Sequence, residues 1–255
     1  MMLPAIGAAA RAVGRFLLPT TCLSCGLREV EVFLRGGVCA FCWESVPHPD
    51  PERCGLCDEA LPSLDATRCG RCLLEPPPFA RLLAAAPYRG SARSILLAFK
   101  FRGADFLDRH LARMMAERLP LAAPWDEITS VPAGARARGA APHAATLLGA
   151  ALSRRLGIPF SSGRLVKRRE TERQSRLPLS QRADNVRGAF RAIGPAKDRV
   201  LLVDDVATSG STARECAASL SAAGAREVTV CCFARASRTD VAMEPTEGME
   251  PLEDT

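Results

Sequence analysis

Aromatic side chains are scarce in this 255-residue chain, which holds one Tyr, two Trp and ten Phe, 5% in all. A protein that grips single strands by base stacking presents a row of rings, so a dedicated stacker is disfavoured. Three histidines leave little room for a His-built metal site or a Ser-His-Asp triad. No run approaches the ~18 apolar residues that a membrane span needs. The longest, Ala144 to Leu152, fits a buried helix, and no membrane insertion is expected. There is no Gly-x-x-x-x-Gly-Lys-Ser/Thr, which excludes an NTP-binding P-loop, and no Gly-x-Gly-x-x-Gly follows a strand pattern. With 47% apolar and 24% charged residues, the 27.3 kDa chain is neither collagenous nor a disordered tail. It can build one full core plus a small module.

Cysteine, by contrast, is abundant and unevenly placed. Eight of the eleven form four Cys-x-x-Cys pairs in the first 72 residues: Cys22/Cys25, Cys39/Cys42, Cys54/Cys57 and Cys69/Cys72. A secreted disulfide scaffold spreads its bridges through a small domain, whereas here a long cysteine-poor stretch follows, so reduced thiols are expected. Met1 to Pro19 lacks the early positive charge of a signal peptide, and Arg11 and Arg15 interrupt its apolar core. The reading is a short amphipathic segment and a cytoplasmic protein. The unit Cys-x-x-Cys, spacer, Cys-x-x-Cys occurs twice, with spacers Gly26 to Val38 and Asp58 to Arg68, each the right length for a zinc ribbon. Gly26, Gly55 and Gly70 supply candidates for the positive φ of a metal knuckle. A closed four-thiolate site has no open position for water and is therefore structural. About two zinc ions per chain are expected, one on Cys22, Cys25, Cys39 and Cys42 and one on Cys54, Cys57, Cys69 and Cys72; interleaved pairing is the alternative that spacing leaves open.

Composition divides the chain into a segment 1–19, a double ribbon 20–75, an α/β domain 79–235 and an acidic tail 237–255 expected to be disordered. Pro76, Pro77 and Pro78 form a stiff linker before the α/β domain. Helical spacing is read over Ser91 to Phe101, Asp105 to Leu119, Ala140 to Leu156 and Ser211 to Ala223. Strand patterns fall at Glu127 to Val131, Val200 to Val203 and Glu227 to Phe233. Strand, helix, strand in succession predicts a parallel sheet flanked by helices on both faces.

The segment from Arg199 to Thr212 carries the chemistry. Four apolar residues lead to Asp204 and Asp205, and then Ala207, Thr208, Ser209, Gly210, Ser211 and Thr212 lead into a helix. Ligands of parallel sheets bind at the carboxyl ends of strands. A loop of small hydroxyl residues before a helix offers N–H groups, hydroxyls and the positive end of the macrodipole to a phosphate. Two acids beside an anion site repel it unless they accept from sugar hydroxyls, with a divalent cation close by. A ribose 5-phosphate group therefore fits, with Asp204 and Asp205 on the 2′ and 3′ hydroxyls.

At these residues the chain resembles the type I phosphoribosyltransferases, which bind 5-phosphoribosyl 1-diphosphate (PRPP). With the cysteine module in front, it resembles more narrowly the ComF family of competence-associated, GntX-like proteins, a double zinc ribbon fused to a phosphoribosyltransferase domain. Further matches are Tyr88-Arg-Gly90, Phe99-Lys100-Phe-Arg-Gly103, Val131-Pro132 before Arg136-Ala-Arg138-Gly139, Arg168 with Thr171 and Gln174, and Arg182 to Phe190. The resemblance implies a diphosphate-binding loop near 132–138 and a hood over 167–187. Arg136, Arg138, Lys167, Arg168 and Arg169 are its candidates for diphosphate contact, with Lys100 a further one.

Local charge is consistent with a polyanion there, since residues 134–191 hold thirteen Arg and Lys against three acids. The implied chemistry is displacement of pyrophosphate from C1 of PRPP by a nitrogen nucleophile with Mg²⁺, catalysed by positioning and charge stabilisation. Purine-salvage relatives carry an Asp where this chain has Thr208, which disfavours a purine acceptor. Gly139-Ala-Ala-Pro-His143 departs from the family's Gly-Phe-Asn-Gln. Two other functions compete: a module that holds single-stranded DNA during uptake, with the PRPP site a sensor or vestigial, and a zinc-ribbon adaptor that docks a partner protein, other DNA-uptake proteins being candidate partners.

Overall fold

The computed structural model describes residues 21–27, 37–63, 65–120, 125–133, 143–169, 171 and 181–237. The cysteine-rich region consists of two knuckles built alike. In each, the leading Cys-x-x-Cys sits on a tight turn and the second Cys-x-x-Cys opens a five-residue helix. Those helices are α1, Ala40–Glu44, and α2, Gly70–Leu74. Cys39 and Cys69 are their N-cap residues, both in extended backbone, with φ −68° and −75°. The turns close through Gly26 N–H to Cys22 O, 2.8 Å, and Asp58 N–H to Cys54 O, 2.9 Å. Left-handed backbone is needed at the residue that closes each turn, and Gly26 (φ 68°) and Asp58 (φ 57°) adopt it. Gly55 and Gly70 do not have positive φ, and Gly70 is the first residue of α2. The knuckle position is thus the one after the leading pair, which the sequence marks with glycine only once.

After Pro76 to Pro78 the chain enters β1, Arg81–Pro87, followed by α3, Gly90–Phe101. A short 3-10 turn, Asp105–Leu107, leads into α4, Asp108–Ala116, and then β2, Glu127–Ser130. Next come α5, Ala144–Leu156, β3, Leu165–Lys167, α6, Arg182–Val186, and β4, Phe190–Ala192. The chain then runs through β5, Arg199–Ala207, α7, Ser211–Ala222, and β6, Glu227–Arg235. The main sheet has order β1-β6-β5-β2 with every pair parallel, while β3 and β4 form a separate antiparallel pair.

Alternate residues of the parallel strands enter two apolar layers. Leu83, Ile128, Leu201, Val203, Cys231 and Phe233 pack with Ile95 of α3, Met115 of α4 and Leu148 of α5. Leu82, Val200, Leu202, Val230 and Cys232 pack with Cys216 and Leu220 of α7 and with Leu165 and Phe190 of the small hairpin. Burial on both faces accounts for the near-continuous apolar runs of β5 and β6. It also pushes the thiols of Cys216 and Cys232 far up, so neither is a nucleophile.

Several elements differ from the sequence expectation for physical reasons. β1 has three alanines, no β-branched residue and a proline, a composition that does not read as a strand. Pro87 is tolerated because β1 lies at the sheet edge. α5 begins at Ala144, after His143 in extended backbone; residues 140–142 lie outside the described set. β5 continues to Ala207, so Asp204 and Asp205 lie within the strand rather than at its end.

Candidate functional site

The two thiol groups are geometric four-ligand sets. Within Cys22, Cys25, Cys39 and Cys42, and within Cys54, Cys57, Cys69 and Cys72, all sulfurs lie within 4.8 Å of one another. Neighbouring pairs therefore combine, and the interleaved arrangement is excluded. Tetrahedral zinc with Zn–S near 2.3 Å requires sulfurs about 3.8 Å apart. Cys22 and Cys42 Sγ are 3.8 Å apart, and Cys57 and Cys69 Sγ are 3.6 Å apart. Each group could hold one zinc ion.

Backbone donors prepare one thiolate in each. Cys22 Sγ accepts from the N–H of Cys39 (3.3 Å) and Ser24 (3.4 Å). Burial raises the Cys22 thiol, but the N–H groups of Cys39, Cys25 and Ser24 outweigh it and bring it down to about 6. In the same way burial at Cys54 is outweighed by the N–H groups of Cys69, Cys57 and Leu56, giving about 7. Cys42 and Cys72 are pushed up to about 12 and about 11, with burial the main cause. Thiols that are reluctant to ionise beside an existing thiolate are those a dication would deprotonate.

The second cluster of functional groups lies along β5 and its exit. Successive strand residues face opposite ways. Asp204, in register with Cys232, shares the parity of the α7 layer, and Asp205 shares that of the α3 and α5 layer. Lys100 Nζ, from α3, is 2.9 Å from Asp205 Oδ2. Burial would lower the lysine, yet Asp205 and Asp204 hold it above its ordinary value. Asp204 is pushed up to about 8, first by burial and then by the Asp205 charge. Burial and the neighbouring charge thus favour the neutral form of Asp204, and Asp205 is paired with Lys100, which lessens the negative charge the two acids present to the loop that follows.

The cup follows directly. Gly210, at φ 71°, is the N-cap of α7, and Ser211 starts the helix. Ser209 Oγ lies 2.9 Å from Ser211 Oγ and accepts the N–H of Ser211 at 3.3 Å. Thr208, Ser209, Gly210 and Thr212 are partly exposed, while Ala207 and Ser211 are buried. Among the described residues, the N–H groups of Thr208, Ser209 and Gly210 have no protein acceptor.

Of the cationic candidates, Lys100 is inside the site. Lys167, at the end of β3, has Nζ 6.0 Å from the Phe190 ring centroid. Arg168 and Arg169 are exposed beyond it, and Arg169 donates to Arg187 O at 2.8 Å. Arg136 and Arg138 lie outside the described residues, as do residues 170 and 172–180 of the 167–187 hood.

Sequence reasoning overlooked two residues. His143 lies among Asp205, Lys100 and Lys167, and burial lowers its imidazole although the Asp205 charge opposes this. Arg235, the last residue of β6, is 6% exposed. Its signal was legible as a lone charge closing an apolar strand, since a buried arginine must find partners.

Residues 142–246 match the phosphoribosyl transferase domain family. The DNA utilization protein YhgH of Salmonella typhi is 34% identical over 176 residues, spanning 64% of this chain and 75% of that protein. YhgH of Escherichia coli strain K12 is 33% identical over 173 residues, with 64% and 75% covered. Competence protein F of Haemophilus influenzae is 31% identical over 176 residues, with 64% and 76% covered. Among solved structures, a glutamine PRPP amidotransferase from B. subtilis in complex with ADP and GMP shares 28% identity at a TM-score of 0.35. That match covers 50% of this chain and 26% of the amidotransferase.

Proposed function

The chain belongs to the ComF family of competence proteins, and from that premise we propose that it binds PRPP at the end of β5 and serves DNA utilization from the cytoplasm. The observation that carries this reading is the cup itself: three N–H groups without protein acceptors, beside Ser and Thr hydroxyls and the N-terminus of α7. These donors suit the 5-phosphate. Asp204 and Asp205 lie within the last four residues of β5, and ribose hydroxyls would donate to them. Mg²⁺, when bound with PRPP, neutralises the diphosphate. Binding of the donor would draw Lys100 from Asp205 towards the diphosphate, for which Lys167, Arg168 and Arg169 are further candidate contacts, as are Arg136 and Arg138 by the family resemblance alone. His143 stands beside the same charges and is a neutral hydrogen-bond partner for that group.

If transfer occurs, a nitrogen nucleophile displaces pyrophosphate from C1, and the bond's electrons leave with the diphosphate. The two four-cysteine groups hold one structural zinc each. A second reading, retention of single-stranded DNA by basic side chains, is favoured by the excess positive charge of residues 134–191 in the sequence and by relatives known as DNA utilization and competence proteins.

Calorimetric titration with PRPP and Mg²⁺ tests the first reading. Heat of binding is expected for the wild type and is expected to vanish for Asp204→Ala/Asp205→Ala; unchanged heat in that variant overturns the assigned site. Pyrophosphate release on adding acceptors tests turnover. The salt dependence of single-strand binding tests the second reading.

A further inference from the structure

The second cysteine knuckle is tied to the phosphate loop by arginines from three different elements. Arg235 of β6 donates through Nη1 to Ala207 O (3.0 Å) and to Thr208 O. The same guanidinium donates through Nε to Cys57 O (3.1 Å) and pairs through Nη2 with Glu59 Oε2 (2.6 Å). Arg71, between Cys69 and Cys72, donates to Ser209 O. Arg214, in the first turn of α7, donates to Glu75 O (2.8 Å) and Pro76 O (3.4 Å), where the knuckle's last helix ends.

The consequence follows from peptide geometry. In a planar trans peptide, the C=O of one residue and the N–H of the next point in opposite directions. Holding the carbonyls of Ala207, Thr208 and Ser209 toward the knuckle turns the N–H groups of Thr208, Ser209 and Gly210 away from it. Those are the three donors of the cup. The Ala207 carbonyl also accepts the N–H of Ala236 (3.0 Å), but without the arginines the planes that follow Thr208 and Ser209 could rotate, and a flipped plane would offer a carbonyl oxygen to an anion.

We infer that Arg235, assisted by Arg71, is a positioning residue through which the Cys54/Cys57/Cys69/Cys72 knuckle sets the shape of the anion-binding loop. Loss of order in that knuckle therefore weakens anion binding even though no cysteine touches the ligand. Its ligand consequence rests on the PRPP reading above; the conformational coupling stands by itself. A knuckle ordered by zinc puts Cys57 O and Glu59 where they orient Arg235. A knuckle emptied by a chelator loses that orientation. The Cys22/Cys25/Cys39/Cys42 knuckle has no such tie to the loop among the described residues.

The test uses the full-length chain and two readouts, amide hydrogen exchange over residues 207–212 and calorimetry with PRPP and Mg²⁺. Arg71→Ala removes an exposed side chain and is expected to fold normally. It is expected to speed exchange at Gly210 and to weaken PRPP by about tenfold. Arg235→Lys keeps the charge but cannot span the separate partners, and it is expected to weaken PRPP at least as much. Arg102→Ala, which cuts a comparable bond from Arg102 Nη1 to Leu23 O (3.2 Å) at the other knuckle, is expected to change neither readout. Zinc removal by chelation is expected to raise exchange across 207–212. Loop exchange that is unchanged in Arg71→Ala, in Arg235→Lys and after chelation overturns the coupling, whatever PRPP does. Wild-type protein that gives no heat with PRPP while its loop exchange still responds sinks the ligand assignment and leaves the coupling standing.

Discussion

The two cysteine knuckles share one local design and are attached to the α/β domain by different forces. The first is joined by apolar packing: Cys22, Val38, Cys39, Cys42 and Val46 belong to the same buried layer as Ile95, Leu111 and Phe233. Trp43 stacks on His110 of α4, with ring centroids 5.5 Å apart. Among the described residues, the second knuckle contributes none to either apolar layer, although Cys54 and Cys72 are buried. Polar groups hold it instead. Leu82 N–H donates to Leu56 O (2.8 Å) and Ala84 N–H to Asp58 Oδ2 (2.8 Å), which satisfies outward-facing donors of edge strand β1. Asp58 is itself paired with Arg53 Nε at 2.8 Å, and Arg235 bridges to Cys57 and Glu59. Apolar packing tolerates small rearrangements, whereas directional bonds to named carbonyls transmit them. The first knuckle is thus a stabiliser and the second a ruler for the loop.

Removing metal should expose this difference most strongly. Structural zinc contributes on the order of 10 kcal/mol of folding free energy per site, so chelation is expected to unfold the second knuckle outright. The first should keep partial protection at residues 38–46, because its apolar side stays docked on α4; exchange read by mass spectrometry checks both. Equal loss in the two knuckles would erase the distinction.

Replacing Arg235 by Gln should cost about 3–5 kcal/mol in denaturant unfolding, because it removes one partner of a buried ion pair together with the bonds to the carbonyls of Cys57, Ala207 and Thr208. Trp43→Ala is expected to cost about 2 kcal/mol through lost apolar burial and stacking, without altering exchange in the loop.

Beneath the clamped loop, Asp204 gives the comparison a pH axis. Its folded pKa, about 8, lies above the unfolded value, so the native state holds the extra proton and stability falls as pH rises between them. Asp204→Asn should therefore raise the melting temperature, with a gain that grows from about pH 4 and levels off above about 8. The knuckle variants should show no such pH profile. Smallest of all, Arg102→Ala should cost about 0.5 kcal/mol, as its single bond to Leu23 O is exposed.

Much of the fold was readable because its signals are local. Helix periods at Ser91 to Phe101 and Ser211 to Ala223 correspond closely to α3 and α7, and the apolar run before Asp204 is the centre of β5. The β1 strand was illegible, since Arg81 to Pro87 takes strand form only from its register with β6 and its bonds to Leu56 and Asp58. The three-residue strands β3 and β4 are too short for any period to register. Asp58 hid its left-handed turn because glycine, not aspartate, is the expected mark. At the candidate site, the acids and the hydroxyl loop were recognisable by order along the chain. His143 was not, and for Arg235 only its need of partners was legible, because both are distant in sequence from what they meet.

By itself, then, the amino-acid order determined that eight thiols stand in Cys-x-x-Cys pairs, that a parallel sheet would form, and that a hydroxyl-rich loop follows two adjacent acids. Those depend on neighbours a few residues apart, whose spacing the covalent chain enforces. Only the tertiary structure decided that neighbouring cysteine pairs combine, that Asp204 and Asp205 face opposite layers, and that one knuckle grips the loop while the other rests on the core. Each of these depends on groups brought together across tens of residues or more, as with Cys57 and Arg235, where packing and burial rather than sequence spacing choose the partner.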